Sequence, residues 1–179
     1  LIGLVGSEMC IRDRIVSRGG MVKNLHGQKN LYYQVNATYY SALGESDEKM
    51  LLARAIQMFM PGKPQVWYLD LFAGKNDHEA VRRAGESGHK EINRTNLSTD
   101  QIAEDLKKDV VQKQLALIRM RNTHKAFSEG AEVAISGGES FLQIRWEYNS
   151  AFATLNVNFE SGTYLSLIHI SEPTRPISI

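Results

Sequence analysis

Residues 64–77, Pro-Gln-Val-Trp-Tyr-Leu-Asp-Leu-Phe-Ala-Gly-Lys-Asn-Asp, set an apolar run directly against a polar, glycine-bearing loop, and the rest of the chain has to fold around that change. The run 66–72 is short, rich in β-branched and aromatic residues, and broken only by Asp70. That pattern predicts a strand buried on both faces, as the strands of parallel sheets are. Before it, residues 47–60 predict a helix. Asp47 and Glu48 suit the positive N-terminal end, Leu52, Ile56 and Phe59 share one side, and Pro61 and Gly62 form the stop. Helix, strand and polar loop in succession belong to barrels or doubly wound sheets, so an α/β class is expected. In barrels of alternating strands and helices, chemistry gathers in loops at the carboxyl ends of strands. Residues 73–77 and the segment behind them are therefore the first candidates for function.

The bulk properties exclude several classes of partner. With 179 residues, 42% hydrophobic and 23% charged, the chain can bury one core or one and a half. Its 21 Lys and Arg against 20 Asp and Glu leave a net charge of +1, spread along the chain. That argues against a nucleic-acid surface and against an anionic membrane. A single cysteine cannot close an internal disulfide, and no apolar run approaches the ~20 residues of a membrane helix. A reducing cytoplasm is the expected compartment. Glycosylation triplets at Asn36, Asn93 and Asn96 are chance matches on this reading.

Residues 1–14 and 165–179 carry no helical or strand period that connects with their neighbours. Both resemble runs produced when sequencing-adapter DNA is translated in frame: Ser-Glu-Met-Cys-Ile-Arg-Asp-Arg at 7–14 and Ser-Leu-Ile-His-Ile-Ser-Glu-Pro-Thr-Arg at 166–175. A signal peptide is the other reading of the first stretch, but Glu8 and the charged residues 12–14 interrupt its apolar core and no small-residue cleavage site follows. Both ends are expected to be foreign to the fold, and Cys10 goes with them.

Between the ends, residues 15–28 are basic and punctuated by glycine, which predicts a loop or irregular structure. Residues 31–40 hold four tyrosines and two amide side chains, too short for a helix and without clean alternation, and read as an extended loop. Such a surface suits sugars, whose C–H faces stack on rings while their hydroxyls bond amides. The alternative is that the rings are core. Behind the central run, residues 78–83 can form a helical turn, and residues 85–96 concentrate His89, Lys90, Glu91, Asn93 and Arg94, a set able to bind an anion or a polyol. His78, His89, Glu79 and Glu91 lack any metal spacing, so no metal or cofactor is expected. Ser98 and Gln101 form a capping-box pattern for a short helix through Leu106. Asp109 and Gln112 repeat it for a helix to about Asn122, with Val111, Leu115 and Ile118 on a core face. From Ala131 the period becomes two, and 132–136, 141–148 and 151–159 predict three antiparallel strands after a linker at 128–130.

Four segments in order carry a resemblance: residues 32–44 (Tyr-Tyr-Gln-Val-Asn-Ala-Thr-Tyr-Tyr-Ser-Ala-Leu-Gly), 53–68, 73–77 (Ala-Gly-Lys-Asn-Asp) and 91–94 (Glu-Ile-Asn-Arg). Together they resemble the carboxyl-terminal third of the sucrose phosphorylases, of the α-amylase-like clan, over roughly residues 17–159. The resemblance implies the carboxyl-terminal part of a (β/α)8 barrel followed by a partial antiparallel β-sheet domain. On that map 15–46 is an inserted acceptor-side loop domain and 47–128 the last helix-strand-helix portion of the barrel. Within it, 66–71 is the eighth strand and 110–122 the eighth helix; 129–160 begins the β-sheet domain. Family members transfer glucose from an α-glucoside to inorganic phosphate with retention, through a covalent glucosyl-enzyme. That chemistry uses two carboxyl groups ~5–5.5 Å apart. In the family these lie on earlier strands, so no catalytic residue is assigned here, Asp70, Asp77 and Glu91 are given no such role, and the fragment alone is expected to be inactive.

What the resemblance does imply is part of the substrate wall. Tyr33 and Gln34 match positions shaping the acceptor and phosphate site. The loop holding His89, Lys90 and Arg94 matches one that grips the glucosyl unit. The implied partners are an α-glucoside and inorganic phosphate, with no nucleic acid, membrane or cofactor. Two departures bear on the acceptor. Sucrose-specific members read Asn-Leu-Asp-Leu-Tyr-Gln-Val-Asn where residues 29–36 have Leu31 in place of the aspartate. They read Gly-Arg-Asp-Ile-Asn-Arg where residues 88–94 are one residue longer and carry Lys90 in place of an arginine, whose planar fork a lysine does not reproduce. Added cationic and histidine character suits an anionic acceptor, so glucosylglycerate or sucrose 6'-phosphate is expected over plain sucrose. A fragment of an amylase-like α-glucosidase or transglucosidase is the alternative of the same clan, and a non-catalytic carbohydrate-binding module the alternative of a different kind.

Overall fold

Where an apolar face, a cap and a stop signal coincide, elements form with nearly the expected bounds. The computed structural model describes residues 2–24 and 32–170. Along them run helix α1 (Ile2–Ser17), strands β1 (Met21–Asn24) and β2 (Tyr32–Asn36), and helices α2 (Tyr39–Ala42), α3 (Asp47–Phe59), α4 (Tyr68–Leu71) and α5 (His78–Ala84). A 3₁₀ segment (Gly85–Asn93), helices α6 (Thr99–Asp105) and α7 (Asp109–Thr123) and a 3₁₀ turn (Lys125–Phe127) follow. Strands β3 (Glu132–Gly137), β4 (Phe141–Tyr148), β5 (Ala151–Asn158) and β6 (Thr163–Ile170) complete them. The chain divides into two compact units, Leu1–Met50 with Val66–Gln112, and Leu51–Gln65 with Lys113–Ile179.

The first unit departs from expectation at its centre. Residues 66–72 form no strand. Trp67 is extended, and the chain then closes into the single turn α4. The reason is the placement of backbone partners. Every ladder among the described residues is antiparallel and none includes this run. Its amides are satisfied locally instead, Leu71 N–H to Trp67 O at 3.1 Å and Gly74 N–H to Leu69 O at 2.9 Å. The buried Leu69 side chain leaves no room for a Cβ at Gly74, which would lie 2.4 Å from Leu69 Cδ1. The aromatic residues are pinned by their polar ends, Trp67 Nε1–H to Asn93 O at 2.9 Å and Tyr68 O–H to Thr95 O at 2.7 Å. Of residues 15–28, 15–24 prove more regular than a loop, for α1 ends at Ser17 and β1 pairs antiparallel with β2, while 25–28 lie outside the described residues. Leu31 lies outside the described residues.

The terminal stretches also take regular structure. α1 forms without a proline to interrupt it, and of its apolar residues Ile11 is 61% exposed and Val16 42%. β6 pairs its backbone with β5, Ser166 opposite Leu155, because an open strand edge accepts any extended segment.

In the second unit the sheet order is β3-β4-β5-β6. Ile144 lies opposite Leu155 and Trp146 opposite Ala153, and this face is buried. Asn149 turns the β4–β5 hairpin at φ 53°, a conformation that asparagine tolerates. Trp146 donates its indole N–H to Phe59 O at 2.6 Å. Phe127 sets its edge against both Phe59 and Trp146, at 5.4 and 5.5 Å between centroids. Arg121 stacks over Trp146 at 4.3 Å and donates to Gly62 O at 3.0 Å. Trp146 is therefore both ring and donor. Trp146→Phe keeps most of the ring but leaves Phe59 O without its partner, which costs ~1–3 kcal/mol. Urea denaturation followed by far-UV circular dichroism should show a lowered midpoint; an unchanged midpoint would contradict this role.

Candidate substrate-binding site

The candidate residues are set by two elements that pack together, the β1–β2 hairpin and the 3₁₀ segment Gly85–Asn93. In the hairpin register Lys23 lies opposite Gln34 and Met21 opposite Asn36, so Lys23, Gln34 and Asn36 share one face. Gln34 is half-buried there, and Asn36 is 4% exposed. The Asn36 Nδ2 group has no hydrogen-bond partner among the described residues. Tyr33 stands on β2, but its side chain lies outside the described residues.

The 3₁₀ segment is locked against α5 at Gly88, where a Cβ would come within 2.6 Å of Val81 O. That contact fixes the next residue, His89, which is 8% exposed and whose Nε2 has no partner among the described residues. Burial, and then the charges of Lys23 and Lys90, hold the His89 imidazole below the usual histidine range. Lys23 thus shares the Gln34 face of the hairpin, and the 3₁₀ segment that packs on the hairpin carries His89 and Lys90. Sequence reasoning missed Lys23 and Asn36, which the pairing of residues 21–24 with 32–36 would have marked.

Arg94 is placed apart. It is exposed, bridges to Glu91 at 3.5 Å and lines an open cleft of about 450 Å³ with Asp77, Arg83 and Glu91. Neither Gln34, His89 nor Lys90 lines that cleft. The nearby carboxylates are engaged structurally. Asp77 caps α5 by accepting from Ala80 N–H at 2.8 Å and from Thr95 O–H at 2.9 Å. The Ala80 bond is the main cause that lowers its pKa. Asp70 accepts from Tyr39 N–H at 2.7 Å. Tyr40, one of the rings considered for sugar stacking, donates to Asp47 at 2.8 Å and has its pKa pushed up to about 12, first by burial and then by that bond. Among the described residues no group of three His, Cys, Asp or Glu could hold a metal ion. No described helix is long and apolar enough to cross a membrane.

Comparison with known proteins assigns the chain to a class. The chain is homologous to glucoside phosphorylases. In particular, it is 55% identical over 155 residues to the sucrose 6(F)-phosphate phosphorylase of Ilumatobacter coccineus, covering 85% of this chain and 29% of the relative. It is 45% identical over 130 residues to the sucrose phosphorylase of Agrobacterium vitis, covering 73% of this chain and 26% of the relative. The crystal structure of sucrose 6F-phosphate phosphorylase from Thermoanaerobacter thermosaccharolyticum superposes with a TM-score of 0.81 at 36% identity, over 90% of this chain and 33% of that one. The α/β assignment therefore holds: the fold is that of the corresponding part of a (β/α)8-barrel enzyme, with an antiparallel sheet following its last helices. The chain spans less than a third of the length of the curated relatives described here. No protein-family model matches it.

The buried imidazole gives a direct check. In an NMR titration His89 should titrate below the ordinary value of about 6.5. Lys90→Gln should move it only part of the way back, since burial is the first cause. Because the unfolded chain takes up this proton first, stability should fall as pH drops from the ordinary histidine range toward the depressed native value. A midpoint at or above the ordinary value would contradict the placement.

Proposed function

We propose that this chain is the acceptor-side segment of a retaining glucoside phosphorylase whose substrate is a phosphorylated α-glucoside, sucrose 6'-phosphate first among them. The whole enzyme transfers the glucosyl group to inorganic phosphate and releases α-glucose 1-phosphate. The observation that carries the choice of substrate is the packing of the hairpin, with Lys23 on its Gln34 face, against the 3₁₀ segment that holds His89 and Lys90. Two lysines near a buried imidazole make a positive surface, and a phosphate monoester is the group that such a surface favours over a neutral hydroxyl. The relative at 55% identity bears the name sucrose 6(F)-phosphate phosphorylase, and the sucrose phosphorylase of Agrobacterium vitis stands at 45%, which supports the same choice.

Tyr33 and Gln34 serve the acceptor side in this reading, His89 and Lys90 the acceptor's phosphate, and Arg94 the loop that bounds the glucosyl unit. Residues 15–46 form the inserted acceptor segment, 47–128 the end of the barrel, and 129–160 the start of the sheet domain. Residues 1–14 and 165–179 are foreign additions, and the share of the chain outside the 55% alignment is about their combined size. The setting is cytoplasmic, with neither membrane nor nucleic acid as partner.

The test is a full-length phosphorylase in which residues 15–159 replace the matching segment of the Ilumatobacter coccineus relative. With excess phosphate, kcat/KM should be highest for sucrose 6'-phosphate and lower for glucosylglycerate and sucrose, and Lys90→Met should narrow the gap. A preference for unmodified sucrose would sink the proposal. The chain by itself should form no glucose 1-phosphate above a blank, because it lacks the paired carboxyl groups the reaction needs.

A further inference from the structure

Three side chains from three separate segments converge on three backbone groups of two consecutive peptide units just past the end of β2. Asn93 Nδ2–H donates to Ala37 O at 3.3 Å, Asn76 Oδ1 accepts from Thr38 N–H at 2.7 Å, and Asp70 Oδ1 accepts from Tyr39 N–H at 2.7 Å. Asn76 is itself held at its backbone, its N–H donating to Ser41 Oγ at 3.0 Å. Residues 37 and 38 belong to neither β2 nor α2, although Thr38 caps α2 by accepting from Ser41 N–H at 3.1 Å; Ala37 O and the Thr38 N–H are left to side chains. The segment that enters β1, at the same end of the strand pair, meets the same loop. A Cβ on Gly19, two residues before β1, would lie 3.1 Å from His78 Nε2 and 3.7 Å from Asn76 Nδ2.

We infer that Asp70, Asn76 and Asn93 are positioning residues for the acceptor site. They clamp the hairpin that carries Lys23 and Gln34 to the loops behind residues 66–72, one of which carries His89 and Lys90. The inference rests on the proposed phosphorylase reading for its consequence, though the clamp itself stands on hydrogen bonds. Its chemistry is directional. Asn76 and Asp70 act as acceptors and Asn93 as a donor. A carboxylate at 76 keeps the bond to Thr38 N–H, whereas a carboxylate at 93 turns a negative charge onto the Ala37 carbonyl.

The experiment uses the full-length graft described above with two reactions. One is synthesis from glucose 1-phosphate with fructose 6-phosphate as acceptor. The other is hydrolysis of α-glucosyl fluoride, whose leaving group needs no acceptor contacts. Asn76→Ala and Asn93→Asp should each lower kcat/KM for fructose 6-phosphate about tenfold, the rate equivalent of one net hydrogen bond. Fluoride hydrolysis should change far less, and Asn76→Asp should retain most of the acceptor rate. The inference is overturned if both reactions fall equally, or if Asn76→Asp and Asn93→Asp behave alike. An unsubstituted graft without phosphorolysis would sink the phosphorylase reading instead. The clamp is then decided by amide hydrogen exchange in this chain, where Thr38 and Tyr39 should exchange faster in Asn76→Ala but not in Asn76→Asp. Unchanged exchange in Asn76→Ala would overturn it.

Discussion

Backbone polar groups at the passage from a strand into the first turn of a helix need partners, and in this chain Ala37 O, Thr38 N–H and Tyr39 N–H find them in the side chains of Asn93, Asn76 and Asp70. The first unit depends on that convergence. It ties the β1–β2 hairpin to the turn that follows Trp67 and to the 3₁₀ segment, so three stretches far apart in sequence share one set of hydrogen bonds. Ala73 takes a left-handed φ of 52° at the bend between them. For a residue with a Cβ this is a strained conformation, which persists only where its surroundings over-determine it. Here Leu69 packed against Gly74 and the bonds of Asn76 supply that restraint.

Much of the fold was legible because much of it is local. Ser98 accepts from Gln101 N–H as the capping pattern requires, α3 runs from Asp47 to Phe59, and β4 keeps the bounds that its two-residue alternation set. The failures share one cause. Whether 66–72 becomes a strand depends on a parallel neighbour, and whether 21–24 forms a strand depends on its partner 32–36; neither lies within the window that periodicity reads. The apolar composition of the run 66–72 was read correctly for Leu69, which is buried, but Trp67 and Tyr68 are 49% and 37% exposed and are held by their polar atoms.

The candidate site divides along the same line. His89 and Lys90 were visible in the polar set behind the run, and one 3₁₀ segment carries both. Their relation to Gln34 became visible only with the hairpin, and Lys23 only with its register. Arg94, grouped with them by sequence proximity, faces a different cleft with Arg83 and Asp77. Burial first, and the like charges of Lys23 and Lys90 after it, work against the protonated form of the His89 imidazole. In the proposed reading a bound phosphate monoester reverses the second of those effects.

That reversal can be measured directly. In the full-length graft, the His89 titration followed by NMR should move upward when fructose 6-phosphate is added, and should stay in place with fructose at the same concentration. The same midpoint with both sugars would contradict the account, since it would mean that the acceptor's phosphate does not reach the wall formed by Lys23, His89 and Lys90.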